Sequence, residues 1–144
     1  MITSLLLVLA CVAASPSPAA STQPSPEPLY IDYVPFTLET SVPLTPDQFM
    51  RQAYRWTLKG DRAETFGALL VRRKQQAGYS PHFLRLIVWR RVGPRIEVDA
   101  VGDMLEGGKQ YRLDRDAFAA MEATLNEMAA KDDAARAAKK HRPH

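Results

Sequence analysis

The fold follows from residues 83–101, FLRLIVWRRVGPRIEVDAV, which predict two strands joined by a turn at Gly93-Pro94. Phe83–Arg91 is the first of these strands and Arg95–Val101 is the second. After the turn, apolar and charged residues alternate with a period of two, which is typical of a half-buried strand. Strands joined by a short turn pair in antiparallel fashion, so the sequence predicts an antiparallel sheet.

The register of this strand pair decides which side chains face the core. A turn of two or four residues pairs odd-numbered positions of the first strand with even-numbered positions of the second. We expect the face with both large aromatic side chains to meet the helices. That face carries Phe83, Arg85, Ile87, Trp89, Arg91, Ile96, Val98 and Ala100. The other face mixes apolar and charged residues, and we expect it to be available to a partner.

Further strands are predicted before this pair. A short strand begins at Trp56, and Glu64–Arg73 forms a longer one. Residues 29–42 are rich in aromatic and β-branched residues and predict an additional edge strand, since Pro35 is tolerated only at an edge. The four main segments together predict an antiparallel meander.

Two helices with clear N-terminal signals flank the meander. In LTPDQF (residues 44–49), Thr45 is the N-cap and Gln48 closes a capping box around a proline at N1. In LDRDAF (residues 113–118), Asp114 is the N-cap. The second helix continues as an apolar stripe at helical spacing, formed by Phe118, Met121, Leu125 and Met128. The predicted fold class is α+β, an antiparallel meander of about four strands flanked by an N-terminal and a C-terminal helix.

The ends of the chain differ in character from this domain. Residues 1–14 hold a short apolar run that ends in small residues, which indicates a signal peptide rather than a membrane span. Cys11 follows Val8-Leu9-Ala10 and resembles the lipidated cysteine of a bacterial lipobox; the competing interpretation removes Cys11 by cleavage before Ser15. The remaining boundaries are a Pro/Ser/Ala-rich spacer over 15–28, one α+β domain over 29–131 and a disordered charged tail over 132–144.

The order of these segments resembles a diffuse group of small bacterial exported proteins and lipoproteins. The resemblance covers about residues 44–128 and is carried by the apolar stripe of the second helix together with Thr45, Phe49, Ala53, Trp56, Leu58, Ile87, Trp89, Ile96 and Val98. All of these positions are structural. The resemblance therefore implies a fold and an exported location, and it implies no activity.

Few residues of the predicted domain have catalytic character. Ser80 and His82 lie two positions apart without a third partner, and the tail histidines are too few for a metal site. Glu97 and Asp99 project together from the last predicted strand, where they are candidates for acid–base chemistry or cation binding, although ion pairing with Arg90 is the simpler role. We expect no enzyme activity, no cofactor, no metal and no small-molecule substrate.

The charge of the chain is concentrated in its middle. The formal net charge is +3, yet residues 51–95 carry eleven Lys or Arg against two Asp or Glu. Arg72-Arg73 and Arg90-Arg91 fall at strand ends, where the meander separates them into two patches. A protein that binds nucleic acid presents one continuous basic surface, so two separate patches argue against that partner.

Together these features predict an exported, envelope-associated binding or inhibitor protein of the immunity type, without enzyme activity. Its partner is an acidic protein or an envelope component. The alternatives are a structural accessory subunit of an envelope complex and a small hydrolase. We expect the protein in the periplasm or anchored to the outer membrane through Cys11, with secretion as the alternative. The candidate partner-binding residues are Arg72, Arg73, Arg90, Arg91, Glu97 and Asp99.

Overall fold

A computed structural model describes residues 27–38 and 43–140. Its elements in chain order are β1 (Leu29–Tyr33), α1 (Pro46–Gln52), β2 (Tyr54–Leu58), α2 (Gly60–Val71), β3 (Arg73–Gln75), β4 (Leu84–Trp89), β5 (Ile96–Asp99), β6 (Asp103–Glu106), β7 (Lys109–Leu113) and α3 (Arg115–Lys140). The α+β class is confirmed, but the sheet has seven strands instead of about four. The predicted signal peptide, Cys11 and most of the predicted spacer lie outside the described residues. Among the described residues, none of the helices combines the length with the apolar character that a membrane span requires.

The strands form one antiparallel sheet in the order β2-β1-β4-β5-β6-β7-β3. The chain leaves one edge at β2, passes through α2 and returns at the opposite edge as β3. Helices α2 and α3 pack on one face of the sheet and enclose the main core. The opposite face, which we call the outer face, is covered by α1 at Ile87. Its side chains include Tyr30, Asp32, Ile87, Trp89, Glu97, Asp99, Asp103 and Arg112.

Both predicted helix starts are confirmed. The Thr45 side chain accepts a hydrogen bond from the Gln48 amide at 3.3 Å, and the Gln48 side chain accepts one from the Thr45 amide at 2.8 Å. Asp114 accepts a hydrogen bond from the Ala117 amide at 3.1 Å and so caps α3. These bonds satisfy amides that the first helical turn leaves without partners.

The predicted strand Glu64–Arg73 is wrong, because these residues belong mainly to α2. The apolar run satisfies helical spacing as well as a strand pattern, since Ala63, Phe66 and Leu70 lie on one face of the helix. All three side chains are buried in the core that α2 shares with the sheet and α3. Packing of that face decides between the two interpretations.

The predicted pairing of β4 with β5 is also wrong. Val88 pairs with Ile96 and Leu86 pairs with Val98, so even positions face even positions. The connection between Val88 and Ile96 contains an odd number of residues, whereas the prediction assumed a turn of two or four. The two faces of β4 are therefore exchanged relative to the prediction. The core-facing residues are therefore Leu86, Val88, Ile96 and Val98, while Trp89 lies on the outer face and is 38% exposed.

The sheet extends further than predicted at both sides of β4. β1 is an interior strand between β2 and β4 rather than an edge strand. Pro35 follows the end of β1, so its missing amide removes no ladder hydrogen bond. Strands β6 and β7 were not predicted; they are joined at Gly107-Gly108, where both φ angles are positive, 56° and 77°. Such a two-residue glycine turn is a hairpin signal.

Helix α3 continues to Lys140, where the sequence predicts a disordered tail from residue 132. The apolar stripe of α3 is confirmed, with Met121, Leu125 and Met128 buried. Beyond the stripe, polar contacts attach the helix to β2: the Trp56 indole donates to Asp132 at 3.0 Å and the Tyr54 hydroxyl donates to Asp133 at 2.8 Å. These long-range hydrogen bonds hold α3 against β2 in the part of the helix that has no apolar stripe.

Candidate functional site

The outer face of the sheet carries two of the sequence-predicted site residues, Glu97 and Asp99. At the β5–β6 end it is covered by the segment that precedes β4. In that segment the amides of Gly78 and Tyr79 donate to the Gln110 side chain at 2.9 and 3.3 Å. The Ser80 amide donates to Asp99 at 3.1 Å. This part of the outer face is closed by hydrogen bonds within the chain.

Asp99, a candidate for acid–base chemistry, is 1% exposed. Besides Ser80, the amides of Val101 and Asp103 each donate to one of its oxygens at 3.0 Å. Burial raises the pKa of the Asp99 carboxyl, and these three hydrogen bonds oppose the rise by favouring the charged form. A carboxylate with this many amide donors and no solvent contact holds a turn together, as in an Asx-type motif.

Glu97, the second acidic candidate, is tied to two neighbours. One carboxylate oxygen accepts from the Tyr79 hydroxyl, and the other lies 2.7 Å from the Arg95 guanidinium. The predicted ion pair with Arg90 is therefore replaced by one with Arg95. Burial and the bond to Glu97 both raise the pKa of Tyr79, so the phenol remains a proton donor.

An ion pair with a buried carboxylate and a part-exposed guanidinium lies beside Asp99 and was not identified from the sequence. Asp103 is 2% exposed and accepts two hydrogen bonds from the Arg112 guanidinium. A Cβ added at Gly78 would lie 2.7 Å from an Asp103 carboxylate oxygen, so the covering segment needs glycine there. The sequence signal was weak because Asp103 and Arg112 lie on strands that the periodicity did not predict.

The other end of the outer face is open and bears aromatic and cationic side chains. Tyr30 and Trp89 stack with ring centroids 4.2 Å apart and planes 15° apart. Beside them lies a cleft of about 410 Å³ that also contacts Met50. We call this region the aromatic–arginine surface; it consists of Tyr30, Met50, Trp89, Arg90, Arg91, Val92 and Arg95.

Arg90 and Arg91 differ within this surface. The Arg90 guanidinium donates to the Glu27 carbonyl at 2.6 Å and lies close to Gly67 of α2, so it is partly buried and is directed towards the helix-covered side of the sheet, although Arg90 also lines the cleft. Arg91 is exposed, and the next residue, Val92, is 78% exposed. Tyr30 and Met50 were not among the predicted partner-binding residues, because their proximity to Trp89 depends on strand order and on the position of α1.

Arg72 and Arg73 lie far from this surface in the strand order. Strands β5, β6 and β7 separate β4 from β3, and Arg73 belongs to β3. The two predicted basic patches are therefore separate, although the separation arises from sheet order rather than from a meander. Arg72 pairs with Asp114 at 2.9 Å, and Arg73 pairs with Glu106 while its guanidinium lies 4.2 Å from the centre of the Tyr111 ring.

No group of three or more potential metal-ligating side chains occurs within residues 27–38 and 43–140. The chain matches no protein-family model, and comparisons with curated proteins and with solved structures find no match. The residues themselves and their arrangement are therefore the basis for a functional proposal.

Proposed function

We propose that this chain is a non-enzymatic binding protein, and that it binds an acidic protein partner on the aromatic–arginine surface. The observation that carries the proposal is the part-exposed Tyr30–Trp89 stack with arginines in the adjoining cleft and turn. Aromatic residues and arginine are the types most enriched at protein interfaces and among residues that dominate binding energy.

The geometry of the stack favours recognition. Trp89 packs on Tyr30 of the neighbouring strand, so its ring is held in place before a partner arrives. An aromatic side chain that is already ordered loses little conformational entropy on binding. The cleft next to it, with Met50 on its far side, gives a partner side chain an apolar contact.

The charge of the surroundings favours an acidic partner. Arg55 pairs with Asp32, Arg95 pairs with Glu97, and Glu27 lies beside Arg90, where its carboxylate accepts from the Val92 amide. The exposed Arg91 remains as additional positive charge at the surface. A positive region of this kind steers an acidic protein towards the aromatic contact and orients it there.

The proposed location is the cell envelope, with residues 15–28 as a spacer between an N-terminal anchor or cleavage site and the domain. The location rests on the sequence of the first thirty residues. In this setting an inhibitor or immunity-type protein binds one partner, whereas an accessory subunit binds a multi-subunit assembly.

Site-specific photo-cross-linking tests the proposal in the producing cell. A photo-reactive benzoylphenylalanine at position 92 is expected to cross-link one acidic partner, and the same residue at position 101 is the control. Val101 is also exposed but lies in the β5–β6 turn, at the other end of β5. Cross-linking at both positions, or to basic proteins only, contradicts the proposed surface.

Variants then measure the contribution of the surface to the purified complex. Trp89→Ala is expected to weaken binding about tenfold or more, as for a central interface aromatic. Arg91→Glu is expected to slow association, with a smaller effect at high salt. The unfolding free energy of Trp89→Ala is expected to fall by about 2–3 kcal/mol, because Trp89 is 38% exposed and the substitution removes its buried apolar area together with one stacking contact. Unchanged affinity in both variants would place the binding site elsewhere.

A further inference from the structure

A second cationic site lies at the opposite edge of the sheet, where β3 and β7 meet the start of α3. It is a cleft of about 470 Å³. Five positively charged side chains and one carboxylate line it: Arg72, Arg73, Lys74, Arg112, Arg115 and Asp114. We call this site the basic cleft. Its excess of positive charge is local, since the whole chain has a net charge of only +3.

Three of the five cations are held in position by ion pairs. Arg72 pairs with Asp114 inside the cleft, while the partners of Arg73 and Arg112 are Glu106 and Asp103, which do not line it. Arg112 uses its Nε and Nη2 for Asp103, and 41% of its side chain is exposed. The guanidinium groups of Arg73 and Arg112, whose carboxylate partners are largely buried, are therefore held in position, and ordering before binding reduces the entropy that a ligand must overcome.

The other two cations have no such constraint. Lys74 and Arg115 are exposed, and among the described residues neither has a carboxylate within ion-pair distance. Lys74 lies directly opposite Arg112 in the β3–β7 pair, so both side chains leave the same face of the sheet. Two free cations thus accompany ordered guanidinium groups around one cleft.

The first turn of α3 is not the source of this site. Asp114 accepts hydrogen bonds from the amides of Asp116 and Ala117, both at 3.1 Å. These amides are already satisfied by the cap, so a ligand in the cleft contacts side chains instead. The charge that favours an anion is that of the lysine and arginine side chains.

We propose that the basic cleft binds a phosphate group, with Lys74 and Arg115 in direct contact and with Arg72 and Arg112 oriented around it. A phosphate presents several charged oxygens, and arginine forks match them with paired hydrogen bonds. A doubly charged group is matched by two free cations, whereas a single carboxylate would leave one cation unpaired. The phosphate belongs either to a lipid headgroup or to a soluble phosphate ester, and the two sources share this chemistry.

The test uses the full chain and inorganic pyrophosphate as the probe, with binding measured by isothermal titration calorimetry. The double variant Lys74→Ala/Arg115→Ala is expected to bind about tenfold more weakly or worse. Lys139→Ala/Lys140→Ala is the matched control, because it removes the same charge from the exposed end of α3. The control is expected to bind like the parent.

Three results would overturn the proposal. The first is that the parent shows no saturable binding of pyrophosphate. The second is that the Lys74/Arg115 variant binds as tightly as the parent, and the third is that the Lys139/Lys140 control loses as much affinity as the Lys74/Arg115 variant. Both cleft residues are exposed, so folding is expected to be retained, and circular dichroism checks it. A single variant, Lys74→Arg, preserves the charge and is expected to keep most of the affinity.

A second measurement distinguishes the two sources of phosphate. The chain is mixed with vesicles of phosphatidylcholine alone or with phosphatidic acid added, whose phosphate monoester can carry two negative charges, and bound protein is measured by sedimentation. Binding that needs phosphatidic acid and is lost in the Lys74/Arg115 variant supports a headgroup. Binding of pyrophosphate without binding of vesicles supports a soluble ester. This site is independent of the aromatic–arginine surface, and Trp89→Ala is expected to leave both measurements unchanged.

Discussion

Replacing Asp99 by alanine removes the acceptor of three backbone amides at one end of the sheet. Those amides belong to Ser80, Val101 and Asp103, and they join the segment before β4 to the β5–β6 turn. Each hydrogen bond to a charged acceptor contributes about 1.5–3 kcal/mol, and a buried amide without a partner costs a similar amount. Because water can reach the part-buried Ser80 end of the cluster, we expect a total loss of about 4 kcal/mol.

Asparagine at the same position provides a graded comparison. Its single carbonyl oxygen can keep the bonds from Val101 and Asp103, which share one oxygen of Asp99. The amide nitrogen cannot accept from Ser80. Asp99→Asn is therefore expected to cost about 2 kcal/mol, roughly half the effect of alanine.

Urea unfolding followed by circular dichroism measures both values. For a domain of this size a loss of 1 kcal/mol lowers the melting temperature by roughly 4 °C, so Asp99→Ala is expected to melt roughly 15 °C below the parent. Glu97→Gln is the matched control on the same strand, and it is expected to cost about 1 kcal/mol or less because its ion pair is part-exposed. Equal stability of Asp99→Ala and Glu97→Gln would refute the structural role of Asp99.

Two further predictions concern the core tyrosine and the N-terminus. Burial raises the pKa of Tyr33 to about 12, above its value of about 10 in an unfolded chain, so the folded state loses stability as the pH rises from about 10 towards 12. Tyr33→Phe is expected to flatten this decline in unfolding free energy against pH, and an unchanged slope would contradict the assignment. If Cys11 is lipidated, Cys11→Ala is expected to move the protein from the membrane fraction to the soluble fraction. Unchanged fractionation, or a mature N-terminus at Ser15, would reject the lipoprotein prediction.

Features whose interacting groups lie close together in the chain could be identified from the amino-acid sequence alone. Thr45 and Gln48 form their capping box within one helical turn, and Asp114 caps α3 through amides two and three residues away. The spacing of the α3 stripe is local in the same sense, since each turn of the helix repeats it. Such contacts form whenever the segment is helical, so they can be identified without knowledge of the rest of the fold.

Features that depend on residues distant in the chain are set by long-range packing. Glu64–Arg73 suits a strand or a helix, and only its packing on α3 and the sheet selects the helix. Trp89 lies on the outer face because the loop before β5 has the opposite parity from a two- or four-residue turn. One residue of loop length exchanges the two faces of a strand.

The candidate sites depend on tertiary structure for the same reason. Tyr30 reaches Trp89 because β1 lies between β2 and β4, and Arg115 joins Lys74 because the chain returns to the far edge through α2. The residue types were visible in the sequence as aromatics and as a basic middle segment. Their grouping into two separate surfaces was not, since strand order is set by the burial of the whole sheet rather than by any one segment.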